Sequence, residues 1–144
     1  MGRLLAIDYG VKRTGIAVSD MSKIIATGLA TVPSGELFSF LKQYLTKESV
    51  ELIVVGAPTQ MNNEPSDNMK HVAGFVKKLK KEMPSVDVIL YDERFTSVMA
   101  HRAMIEGGLK KKDRRNKALV DEISAVILLQ SYMESLLYIN FTKL

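Results

Sequence analysis

Three carboxylates stand where separate elements of this chain begin or end. Asp8 closes an apolar run, Glu93 follows another in Asp92-Glu93-Arg94, and Asp121 lies near the start of a long helical pattern. Gathered at one place, such groups repel each other and raise each other's pKa values. A hard divalent cation removes that cost. Magnesium takes one or two carboxylates, keeps several waters and bridges to phosphate oxygens. Paired ions can stabilise both the attacking and the leaving oxygen of an in-line phosphodiester cleavage. The chemistry on offer is hydrolysis assisted by Mg2+ or Mn2+, and it needs no nucleophilic side chain. The chain has no cysteine, which excludes thiol nucleophiles, thiolate metal sites and disulfides. Its two histidines, His71 and His101, fall within helical patterns and read as surface or packing residues.

Each acid also has a plainer reading. Turns favour Asp for local hydrogen bonding, and Asp8 precedes the Gly10 reversal. A carboxylate in the first turn of a helix suits its macrodipole, which would be reason enough for Asp121. Glu122, about 100° further round the helix, is expected to point to solvent. If the acids do cluster, Asp121→Asn should raise the melting temperature in EDTA.

The elements that must position these groups follow from periodicity. Arg3 to Tyr9, Thr14 to Val18 and Ile25 to Thr31 are short apolar runs punctuated by glycine, with a tight reversal after Asp8. They are expected to be antiparallel strands. After the Pro33-Ser34-Gly35 break, Leu37, Phe38, Leu41, Tyr44 and Leu45 recur at helical spacing. Leu52 to Gly56 and Val86 to Tyr91 read as strands buried on both faces. Between them, Met69, Val72, Ala73, Val76 and Leu79 mark a helix with lysines on its other side. A short helix is expected from Thr96 to Gly107, and a long one from a cap at Asn116 to about Ile139. This order predicts an α/β fold of one domain over 1–144. Its mixed sheet has three antiparallel first strands and later parallel ones, with helices on both faces. Sites in such sheets gather at the carboxyl ends of parallel strands, so Asp8 and Glu93 should share an edge.

The 144 residues suffice for one core, at 47% hydrophobic and 25% charged. No signal peptide or membrane span is evident, and the expected location is cytoplasmic. From Lys110 to Lys117 there are six basic residues and one acidic, a net charge of +5. Taking this from the total of +4 leaves −1 for the rest. The positive excess therefore reads as one short segment, either a solvated loop or a phosphate-contacting patch. Candidate nucleic-acid contacts are Lys12, Arg13, Arg94, Lys110, Lys111, Lys112, Arg114, Arg115 and Lys117. Tyr9 and Phe95 flank the acids and either stack on bases or pack against the sheet.

Leu5-Ala6-Ile7-Asp8-Tyr9-Gly10-Val11-Lys12-Arg13-Thr14-Gly15 resembles the opening motif of the YqgF family. Val54-Val55-Gly56-Ala57-Pro58, Asp92-Glu93-Arg94-Phe95-Thr96-Ser97 and Val120-Asp121-Glu122-Ile123-Ser124-Ala125 resemble its later motifs, in order. The resemblance covers nearly the whole chain. It implies an RNase H-like fold related to the RuvC resolvases, with catalytic, metal-holding acids at Asp8, Glu93 and Asp121. It further implies a nuclease that processes the 5′ end of precursor 16S ribosomal RNA, with resolution of DNA junctions as the alternative. A non-catalytic RNA-binding module is a third reading. Asn63 stands where the family usually has glycine, a substitution that a positive-φ turn tolerates. No decisive dimer signal is present, and the expected state is a monomer or weak homodimer.

Overall fold

The computed structural model describes residues 2–57, 68–92 and 117–142. In chain order these form β1 (Arg3–Tyr9), β2 (Arg13–Ser19), β3 (Ala26–Pro33), a 3-10 turn (Ser34–Glu36) and α1 (Leu37–Lys47). They continue with β4 (Val50–Ala57), α2 (Asn68–Glu82), β5 (Asp87–Asp92) and α3 (Lys117–Thr142). The five strands form one sheet in the order β3-β2-β1-β4-β5. β1 pairs antiparallel with β2, as β2 does with β3, whereas β1–β4 and β4–β5 are parallel.

Alternation along the central strand sorts the core into two layers. Leu5 and Ile7 face one way, joining Ile16, Ile53, Leu37, Leu41, Val72, Phe75 and Leu79 under α1 and α2. Leu4 and Ala6 face the other, meeting Ala17, Ala125, Leu128, Leu129 and Met133 under α3. The second layer is built of small strand residues, so α3 rides close to the sheet. Helices therefore cover both faces, as the pattern of periods predicts.

One strand departs from expectation. β5 was expected to be buried on both faces, yet Leu90 is 43% exposed, and among its described side chains only Val88 is buried. The reason is position: β5 ends the strand order and receives neighbours from β4 alone. β4, with a partner on each side, has Ile53, Val54 and Val55 completely buried. Among the described residues, no helix is long and apolar enough to cross a membrane.

Candidate active site

The turn after β1 fixes everything near Asp8. Tyr9 pairs with Thr14, which leaves four residues for the reversal and sets Asp8 opposite Gly15. A Cβ on Gly10 would overlap the Arg13 carbonyl oxygen, so only glycine permits so tight a return. Ser34 clamps the turn from outside. Its backbone N–H donates to the Lys12 carbonyl at 3.0 Å, and its hydroxyl donates to the Gly10 carbonyl at 2.5 Å. The same hydroxyl lies 2.9 Å from that of the buried Thr14. Ser34 reads as a chain break in the sequence, and its part in holding this turn was missed.

Asp8 lies on the α3 face, because Leu4 and Ala6 face α3 and side chains alternate. It is half-buried. Gly15, its cross-strand neighbour, is where α3 comes down on the sheet: a Cβ there would overlap the Asp121 carbonyl oxygen. The backbone of Asp121 therefore lies over the residue that pairs with Asp8. The decisive small residue is on the strand.

Arg13, on the same face two residues from Gly15, donates from Nε to Asp121 Oδ2 at 2.8 Å. The pair is partly open, with the side chains 38% and 26% exposed. Arg13 was expected to contact phosphate, and here its guanidinium is engaged with Asp121. This pair also removes the basis for expecting Asp121→Asn to stabilise the metal-free protein, since Asp121 already has a counter-charge. Glu122 differs from expectation as well. Its side chain lies against Gly28 of β3 instead of reaching into solvent, because α3 spans both β2 and β3.

Other candidates are sorted as follows. Lys12 is exposed on the turn. Tyr9 faces the opposite layer and stacks on Phe75, with ring centroids 4.9 Å apart, so packing is its role. His71 is exposed on α2. Lys117 opens α3. Glu93, Arg94, Phe95, His101, Lys110, Lys111, Lys112, Arg114, Arg115, the short helix from Thr96, the Asn63 turn and the Asn116 cap lie outside the described residues. Ala57 and Asp92 pair at the carboxyl ends of β4 and β5. Ile7 pairs with Val55 in parallel, so β1 ends at that same edge.

The donors available for a metal are hard carboxylate oxygens, the type suited to magnesium or manganese. Among the described residues no three His, Cys, Asp or Glu side chains gather to form a metal cage.

A family model described as RuvX, Holliday junction resolvase, matches residues 2–135. A Parabacteroides distasonis protein provisionally named pre-16S rRNA nuclease is 63% identical over 138 residues, 96% of this chain and 99% of its own length. A Bacteroides fragilis protein with the same provisional name is 64% identical over 135 residues, covering 94% and 98%. Among solved structures, Thermus thermophilus RuvC in complex with a Holliday junction substrate matches with a TM-score of 0.57 at 18% identity. That alignment covers 95% of this chain and 96% of RuvC, and it establishes a common RNase H-like fold.

Proposed function

The chain belongs to the RuvX family, and from that premise we propose that it is a divalent-metal-dependent nuclease acting on the 5′ end of precursor 16S ribosomal RNA. The observation that carries this reading is the seating of the Asp121 backbone on Gly15, the residue paired with Asp8, at the edge where β1, β4 and β5 end. Both relatives cited are provisionally named for that RNA substrate.

In this reading Asp8, Glu93 and Asp121 would hold Mg2+ or Mn2+. A divalent ion supplies Lewis acidity toward the phosphate oxygens and toward an attacking water. Overall, water adds across the phosphodiester: the bond from phosphorus to the leaving oxygen would be exchanged for one to the water oxygen, and the proton given up by the water would end on the leaving oxygen. The protein's own residues set the geometry. The Ser34 clamp fixes the turn that follows Asp8, and the contact at Gly15 fixes the depth of Asp121. Arg13 places positive charge at Asp121, at the edge where the phosphate would lie. Lys12, exposed on the turn, adds a second cation there.

A second reading, resolution of four-way DNA junctions, has the family description in its favour. Cutting a two-fold junction requires two sites at fixed spacing and therefore a symmetric dimer. A competition assay in magnesium separates the two, with a 5′-extended precursor ribosomal RNA and an immobile junction at equal concentration. Shortening of the RNA with the junction intact is expected. Paired symmetric nicks in the junction with the RNA intact would replace the first reading by the second.

A further inference from the structure

The lysines of α2 form an ordered row. Lys70, Lys77 and Lys81 are exposed and, with Gly74, succeed one another by steps of four, three and four residues, which is one face of a helix. Eleven residues of rise span about 16 Å. Asn68–Glu82 holds five lysines against one glutamate, a net of +4. The positive charge is therefore not confined to the segment before α3, as the sequence total suggested; acids elsewhere in the chain hide it.

At its upper end the row borders a cleft of about 410 Å³, lined by Tyr9, Phe38, Phe75, Lys70, His71 and Lys78. Lys78 lies over the Phe38 ring, 4.4 Å from its centroid. Gly74 opens the wall, since a side chain there would meet nothing within 4 Å. Ser34 and Gly35 also line the cleft, which joins it to the turn carrying Lys12. Tyr9 is one residue from Asp8. Lys12, on the turn held by Ser34, stands between the α3 face that carries Asp8 and this cleft on the α2 face.

We infer that this row and cleft bind the single-stranded flank of the polynucleotide whose scissile phosphate lies at Asp8 and Asp121. Charge complementarity argues for a polyanion, and the cleft beside Lys70, His71 and Lys78 continues the row as a basic groove of the kind that tracks the backbone of a single strand. The inference rests on the nuclease reading and extends it by giving the strand a direction of exit. Phosphate contacts do not read the 2′-hydroxyl, so RNA and DNA strands should use the row alike.

The test is fluorescence anisotropy in EDTA, where nothing is cut, with labelled single strands of five and of twenty nucleotides, in RNA and DNA versions. The triple variant Lys70→Gln/Lys77→Gln/Lys81→Gln is compared with wild type and with Lys42→Gln/Lys47→Gln on α1. For the long strands the triple variant should weaken binding and flatten the slope of log affinity against log salt by about 0.7 per lost contact, roughly 2 in all. The short strands and the α1 variant should stay near wild type. An unchanged slope for the long strands overturns the inference, as do equal losses for short and long strands or for the α1 variant. Failure of wild type to bind any strand would strike the nuclease reading itself, and this inference with it.

Discussion

Arg13 and Asp121, 108 residues apart in the chain, are joined by a 2.8 Å hydrogen bond from Nε to Oδ2, beside the point where α3 touches β2. An acid expected to ligate a metal thus has a resident organic cation. Because the pair is partly exposed, its worth to folding is about 0–1 kcal/mol. Its worth to metal binding has the opposite sign, since guanidinium and ion compete for one carboxylate. Arg13→Gln should bind Mn2+ about fivefold more tightly in a calorimetric titration, the equivalent of about 1 kcal/mol. Weaker binding would mean instead that Arg13 orients Asp121 for the ion. Asp121→Asn in EDTA should melt no higher than wild type, because it breaks this pair.

Gly15→Ala forces a methyl group against the Asp121 backbone. Backbone cannot swing aside as a flexible side chain does, so α3 must lift or tilt. Overpacking of this kind costs about 1–3 kcal/mol, and the upper end is expected here. Thermal melting should fall by several degrees, and cleavage should fall further than the loss of folded protein explains. A wild-type melt with wild-type cleavage would show that α3 does not need this approach.

Ser34→Ala removes the hydroxyl that holds the Gly10 carbonyl and meets Thr14. Net losses per hydrogen bond are about 0.5–1.5 kcal/mol, so urea unfolding should show a decrease of roughly 1–2 kcal/mol. The turn positions Asp8, Lys12 and Arg13, so kcat should drop as well. A stability loss with unchanged kcat would confine Ser34 to folding.

The far end of the sheet provides a pH test. Asp20 accepts backbone N–H bonds from Ile24 at 2.7 Å and Ile25 at 2.9 Å. The Ile25 bond first, then that of Ile24, hold its carboxyl below the ordinary value. A depressed carboxyl contributes stability above the unfolded-state pKa, about 3.9, and loses it as pH falls through the lower folded value. The stability gap between wild type and Asp20→Ala should be constant from about pH 5 to 8 and shrink below about pH 4. A gap independent of pH in denaturant titrations would contradict this account.

Much of this was legible in the residues. β1 is bounded as its apolar run predicts, and the tight reversal expected after Asp8 leads into a strand paired antiparallel with it. Ala125 and Leu128 fall on the buried stripe that continues from Asp121. What periodicity could not show was depth and partnership. Nothing local marks Gly15 as a helix seat, because its neighbour is more than a hundred residues away. Arg13 read as a phosphate contact because its partner comes from the last helix. The burial of β5 was overstated because an edge strand and a central one share the same apolar signature. The lysine row went unweighed because a net charge sums over acids that lie elsewhere.

The central claim is that Asp8, Glu93 and Asp121 act as one metal-dependent hydrolytic site. It is tested most directly by the rate of cleavage of a 5′-extended precursor ribosomal RNA, measured in Mg2+ and in EDTA. Wild type is compared with Asp8→Asn, Glu93→Gln, Asp121→Asn and the triple variant, each shown to be folded. Groups that act as a unit lose activity non-additively, so each single variant should fall nearly as far as the triple, and EDTA should abolish wild-type cleavage. Wild-type rates in any two of the single variants, or undiminished cleavage in EDTA, would contradict the account.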